Sequence, residues 1–265
     1  AEGVDGVGIC VDYPPYLRSE RYKDYKAQRE KPDGDLYGQL RATEEKIADD
    51  GFAILKAKGF EADDVIATVV HDMRESGHEI TIYSSDKDLL QLVSPSRVEV
   101  ISVGTGQVYH DAEVEEKFGV PPCAMAELLT LIGDKADNIP GIDGIGAKTA
   151  AKMLVAHGGA IEGVIAAAQD GTLRPERFCV PIIESMAALF EWRDLIRLTT
   201  GVPIDSSEVF AERVTKTTEI EEIDGMDATP SIVDTVAADA PVMTTTAQQV
   251  SLSAPVRVVE TMKKP

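Results

Sequence analysis

Acidic residues recur in this sequence at places where a metal ion could be held. Asp12 follows a short apolar run, and Glu61, Asp63 and Asp64 stand together as Glu-Ala-Asp-Asp. Asp86 and Asp88 flank a lysine in Ser-Asp-Lys-Asp, while Asp134 and Asp137 lie in Gly-Asp-Lys-Ala-Asp-Asn. Any single Asp at a helix start is explained by capping, because a carboxylate there accepts backbone N–H bonds. Four such groups at successive element ends ask for more. Carboxylates brought together repel unless a cation sits between them, and Mg2+ or Mn2+ takes oxygen ligands while keeping waters. Two such ions, about 3.5 to 4 Å apart, would clamp a phosphodiester, one activating water and the other stabilising the leaving oxygen. Hydrolysis then needs no protein nucleophile. His71, His78, His110 and His157 have no ligand spacing to one another and are read as structural.

Two further patterns suit a phosphate polymer. Gly144-Ile145-Gly146 runs into Ala147-Lys148-Thr149-Ala150. Glycines let backbone approach a ligand closely, and a helix starting near Ala147 aims N–H groups and the positive end of its dipole outward. Such a contact reads backbone, not sequence. The segment is not a Walker A loop, and a plain helix-helix turn is the competing reading. Upstream, Arg18, Arg21, Tyr22, Lys23, Tyr25, Lys26 and Arg29 interleave cations with rings, as single-stranded DNA binding requires. A solvated basic helix would look the same.

The elements that must position these residues follow from periodicity. Residues 6–11 read as a short buried strand suited to a parallel sheet, 80–83 as a second short buried strand, 52–55 as a candidate strand, and 98–103 with 107–109 as a hairpin around Gly104-Thr105-Gly106. Helical patterns cover 36–50 and 62–75, a basic helix or loop covers 16–29, and Ser84-Ser85-Asp86 reads as a helix start. Strands alternating with helices imply an α/β sheet covered on both faces. After Pro121-Pro122 the pattern turns helical, at 124–132, 147–157, 160–168 and 182–198; from about Thr215 a Thr, Ser, Ala and Asp rich stretch reads as a disordered tail. The expected domains are an α/β metal-binding domain over 1–120, a helical module over 121–200 and the tail over 215–265.

The chain has 265 residues and a net charge of −20. That balance argues, taken alone, against a nucleic-acid partner, but a metal-dependent enzyme needs many carboxylates that its ions neutralise, so the test is a local basic surface. Cys10, Cys123 and Cys179 are scattered and suggest neither a disulfide framework nor a zinc site. There is no run of eighteen apolar residues and no secretory start, giving the expectation of a cytoplasmic protein with no membrane partner.

Taken in order, Val11-Asp12 with Arg18 downstream, Glu-Ala-Asp-Asp at 61–64, Ser-Asp-Lys-Asp at 85–88, Gly-Asp-Lys-Ala-Asp-Asn-Ile-Pro-Gly at 133–141 and Gly-Ile-Gly-Ala-Lys-Thr-Ala at 144–150 give the chain a specific resemblance. Over residues 6–198 it resembles the 5′-to-3′ exonuclease domain of bacterial DNA polymerase I and the stand-alone phage flap endonucleases. The resemblance implies a PIN-like, Rossmann-like, mostly parallel sheet flanked by helices, then a helix-three-turn-helix module. It implies a structure-specific 5′ nuclease, exonuclease and flap endonuclease, using two Mg2+ or Mn2+ ions on DNA flaps, nicks and duplexes with a 5′ single strand. The implied metal ligands are Asp12, Glu61, Asp63, Asp64, Asp86, Asp88, Asp134 and Asp137. Arg18 and Lys26 would be catalytic; Arg18, Tyr22, Tyr25, Lys26 and Arg29 would contact DNA from a helical arch. Gly144, Ile145, Gly146, Lys148 and Thr149 would grip duplex, often with a K+ bound. A monomer in a bacterial or phage-infected cell is implied. The family carries a further strand, ending in another metal-binding Asp, and a helix ahead of the strand at 7–11; here nothing corresponds, so an N-terminal truncation is expected. The alternatives are a catalytically impaired DNA-binding module of the same fold and a metal-dependent phosphatase, which would not explain Gly-Ile-Gly.

Overall fold

The computed structural model describes residues 4–29, 34–211 and 256–260. Six strands, β1 (Gly6–Cys10), β2 (Ala53–Leu55), β3 (Ile80–Tyr83), β4 (Val98–Ile101), β5 (Val108–Tyr109) and β6 (Val256–Glu260), form one sheet in the order β2-β1-β6-β3-β4-β5. Every neighbouring pair is parallel except the hairpin β4-β5. Ile80, Ile82, Val98 and Val100 are buried and alternate with the polar pair Thr81 and Glu99, whose side chains hydrogen-bond to each other at 2.9 Å.

Four helices belong to this half: α1 (Leu17–Arg21), α2 (Gly34–Asp49), α3 (Ala62–Asp72) and α4 (Asp111–Phe118). In α3, Val65, Ile66 and Val69 are fully buried at helical spacing. The second half is helical: α5 (Met125–Ile132), α6 (Ala147–Ala156), α7 (Ile161–Gln169), α8 (Cys179–Glu184) and α9 (Met186–Ile196). Buried side chains of both halves form one continuous cluster. No single helix among the described residues is long and apolar enough to cross a membrane.

Two expectations change. The expected tail over 215–265 holds β6 at the centre of the sheet, so 256–260 are ordered against β1 and β3; residues 212–255 and 261–265 lie outside the described residues. A five-residue strand has no stability of its own, and its signal is supplied by its neighbours. The sheet is also not short of a strand between β1 and β3, because β6 occupies that position.

Candidate metal centre

The acids converge because strand ends and one tight loop aim them at the same place. β3 runs into Ser84-Ser85-Asp86 and then a 3-10 turn, Lys87–Leu92, whose first N–H groups are met by Asp86: its Oδ1 accepts from Asp88 N at 2.7 Å. The loop after α5 closes on itself through an antiparallel bridge between Asp134 and Ile139. Gly133 and Gly141 make that closure possible, since a Cβ on Gly133 would lie 2.4 Å from Pro140 O and one on Gly141 2.3 Å from Gly133 N. Ligand atoms of Asp88, Asp134 and Asp137 then lie within 4.8 Å of one another.

This trio suits a hard cation. Asp88 Oδ1 is buried with no hydrogen-bond partner, a costly state for a carboxylate oxygen unless an ion or a proton reaches it. Burial first, then Asp134, with Asp63 and Asp137 adding to it, pushes the Asp88 carboxyl up to about 7, against the opposing pull of Lys87. Asp137 is likewise raised, first by burial and then by Glu61 and Asp134, although Lys26 and Arg29 pull it down. Tyr25 OH lies 2.8 Å from Glu61 Oε2 and 3.1 Å from Asp137 Oδ2. One hydroxyl proton cannot serve two carboxylates at once, a further sign of excess negative charge.

Protein cations surround the acids. Lys87 Nζ donates to Asp134 Oδ2 at 2.9 Å, and Asp134 Oδ1 accepts from Ala136 N at 2.8 Å. Lys26 contacts Glu61 closely and lies 3.8 Å from Asp137 Oδ1; Arg29 reaches the same Asp137 oxygen at 2.9 Å. Burial would raise Glu61, but Lys26 and Arg18 outweigh it and hold the group below the usual carboxylate range. Lys26 adopts a φ of 57°, unusual for a side-chain-bearing residue, and its N–H donates to Asp137 O.

Arg18 is fully engaged. Its Nε donates to Leu195 O at 2.9 Å, Nη1 to Glu61 Oε2 at 3.1 Å and to Asp64 Oδ2, and Nη2 to Asp64 Oδ1 at 2.7 Å and Arg197 O at 3.1 Å. Its five donors are thus taken. Asp64 Oδ1 also accepts from Thr199 N at 2.8 Å. The basic segment over 16–29 is folded inward only in part: Tyr25 is buried, Tyr22 packs on the core and Gln28 donates to the carbonyls of Lys135 and Ala136, while Arg21 and Lys23 stay exposed. Asp12 stands apart from the trio, accepting from Ala62 N at the start of α3 and from Tyr16 OH. Asp63 is buried near Asp88. Asp12, Glu61, Asp63, Asp64 and Asp86 do not join the set of three. Lys87 and Tyr16 were not singled out from sequence; Lys87's place between Asp86 and Asp88 was the available signal.

At the helical module, Gly144 has a φ of 76°, while Ile145 is buried. Gly146 is the N-cap of α6 with an ordinary φ of −91°, and α6 has neither a side-chain cap nor an acid in its first turn. A Cβ on Gly146 would meet nothing within 4 Å. Lys148 is exposed and Thr149 half-buried beside this helix start.

A resolvase-like α/β domain with carboxylates at its strand ends, followed by a small helical module, is the class that fold and site define. Residues 2–119 match the 5′-3′ exonuclease N-terminal resolvase-like domain, and 120–219 match the 5′-3′ exonuclease C-terminal SAM fold. The chain belongs to the 5′-3′ exonuclease family. It is 40% identical over 158 residues to a 5′-3′ exonuclease of Aquifex aeolicus, covering 59% of this chain and 54% of that protein. It is 39% identical over 200 residues to DNA polymerase I of Rhizobium leguminosarum, covering 75% of this chain and 19% of that protein. The chain thus spans about half of the one relative and a fifth of the other. In fold it is similar to the T5 5′-exonuclease with divalent zinc ions bound, at 24% identity and a TM-score of 0.60, covering 72% of this chain and 73% of that one. It is similar too to the bacteriophage T5 flap endonuclease in a pseudo-enzyme-product complex with DNA and metal ions, at 24% identity and a TM-score of 0.59, covering 72% of each chain.

Proposed function

We propose that this chain is a structure-specific 5′ nuclease that hydrolyses DNA phosphodiesters at flaps, nicks and 5′ single-strand junctions, with two Mg2+ or Mn2+ ions. The observation that carries the reading is the convergence of Asp88, Asp134 and Asp137 with a buried, unpartnered oxygen on Asp88. These three would hold one ion; Asp12, Glu61, Asp63 and Asp86 are the candidates for a second. A bound divalent cation supplies an activated water and a positive charge for the leaving oxygen. The chain's own part is to fix the carboxylates, to keep Lys26, Arg29 and Lys87 beside them, and to hold duplex at a distance with the start of α6. There, Gly146 leaves room for a phosphate to reach N–H groups, Lys148 adds charge, and a K+ at the Gly141–Thr149 turn fits the same role. That the phage T5 flap endonuclease was captured with DNA and metal ions supports DNA as the partner.

One observation favours a second reading, a DNA-binding module with impaired catalysis: Arg18, Lys26, Arg29 and Lys87 already neutralise much of the acidic cluster. A labelled 5′ flap with Mg2+ separates the two. The full chain is expected to cleave it, and Asp134→Asn to lower the rate on the order of 1,000-fold, matching several kcal/mol of lost charge stabilisation, while flap binding in Ca2+ persists. Binding without cleavage by the unaltered chain would leave the second reading standing.

A further inference from the structure

A cavity of about 260 Å3 lies at the opposite end of the sheet from the acids, where Arg97 precedes β4, His78 lies two residues ahead of β3, and α3 ends at Asp72. Its floor is apolar, made by the buried Met73, Ile80, Val93 and Val98. Its rim is cationic, with Arg74, Arg97, His71 and His78. Among the described residues no Asp or Glu lines it, in a chain whose 46 acids outnumber its 26 lysines and arginines.

The charge on this rim is not spent inside the protein. Arg18, Arg21, Arg29, Arg193 and Arg197 each reach a carboxylate. Among the described residues the exposed guanidiniums of Arg74 and Arg97 have no ion pair or hydrogen bond, and neither has the imidazole of His71. His78 is wall rather than free charge, held 3.3 Å from Asp5 and against the Phe210 ring. The side-chain hydroxyls of Ser94 and Thr200, also on the rim and without a partner among the described residues, add donors. Guanidinium N–H groups form a planar fork matched to phosphate oxygens. Ligand cavities are apolar with a few placed polar groups, and this one falls just under their usual range of about 300 to 1,000 Å3, which suits one nucleotide and not a duplex.

We infer that this cavity binds a small phosphate monoester, a deoxynucleoside 5′-monophosphate, with its phosphate between Arg74 and Arg97 and its base on the apolar floor. Such a nucleotide is what stepwise hydrolysis from a 5′ end releases, so the choice of nucleotide rests on the nuclease reading above, while the anion site does not.

Nuclear magnetic resonance titration of the full chain with deoxyadenosine 5′-monophosphate in EDTA tests it, since no divalent ion then draws phosphate to the acids. The amides of residues 74, 97 and 200 are expected to shift together. Arg74→Gln combined with Arg97→Gln is expected to weaken binding at least roughly tenfold, the scale of lost charge-assisted hydrogen bonds. Both side chains are exposed and unpaired, so the melting temperature should stay that of the parent. Arg177→Gln, exposed in the helical half, should bind as the parent does. Inorganic phosphate should bind more weakly than the nucleotide, and deoxyadenosine more weakly still. Shifts confined to other residues, or affinity unaltered in the double variant, overturn the site. Inorganic phosphate binding as tightly as the nucleotide overturns the choice of nucleotide, and so does a short single-stranded oligonucleotide that binds there more tightly. No cleavage is involved, so failure of the nuclease reading shows separately, as a chain that binds the nucleotide and leaves a 5′ flap intact in Mg2+.

Discussion

Asp88 carries a conflict that a cation would resolve. Its carboxyl is pushed up from 3.8 to about 7, by burial first and by the neighbouring acids after it. The folded protein therefore holds a proton there that the unfolded chain releases near pH 4. Because the folded value is the higher, this group's stabilisation is complete below about pH 4 and is lost as pH rises through about 7. An ion must displace that proton. Mn2+ affinity, measured by calorimetry, should accordingly rise about tenfold from pH 6 to 8 and level off above that. In Asp88→Asn the affinity should be lower and nearly flat across that range. A flat profile in the unaltered chain would place the ion elsewhere.

At the level of elements, the start of α6 poses a cleaner question than the acids do. Gly146 has an ordinary backbone conformation and nothing within 4 Å of where a Cβ would stand, so the protein's own packing does not require glycine. Asp is a better N-cap than Gly and complements the helix dipole. Gly146→Asp should hold or raise the melting temperature while weakening duplex binding by about tenfold, roughly 1.4 kcal/mol, whatever the DNA sequence. Fluorescence anisotropy with two unrelated duplexes checks both points, and unchanged affinity would remove α6 from the interface. This element was legible because Gly-Ile-Gly followed by Lys-Thr is a local signal. The strands β1 and β3 were legible for the same reason, each being an apolar run that ends in an acid. β6 was not, because Val-Arg-Val-Val-Glu amid Thr, Ala and Pro becomes a strand through partners about 175 to 250 residues away in sequence. The inward turn of Arg18, Tyr25, Lys26 and Arg29 was hidden too: cations and rings that clasp acids at 61, 64 and 137 read just like those that face a single strand.

For the molecule as a whole, Arg18 joins the two halves. It bridges Glu61 and Asp64 at the start of α3 to the carbonyls of Leu195 and Arg197 at the end of α9. The chain beyond then returns over the α/β half, with Thr199 N on Asp64, Val202 N on Thr68 and Ser206 on Asp72. Glu127, buried in α5, does similar work in the helical half, taking Arg197 and the N–H of Ile161. If Arg18 is this joint, Arg18→Ala leaves two buried carboxylates short of their cation, which costs about 3 kcal/mol. For a chain of this size that is a fall of roughly 10 °C in melting temperature. Mn2+ should recover part of the loss, since an ion can supply the missing charge, and it should recover more in this variant than in the parent. Thermal unfolding with and without Mn2+ measures both. Were the melting temperature unchanged while cleavage of a 5′ flap fell, Arg18 would instead face the DNA, as the interleaved cations and rings of the sequence first suggested.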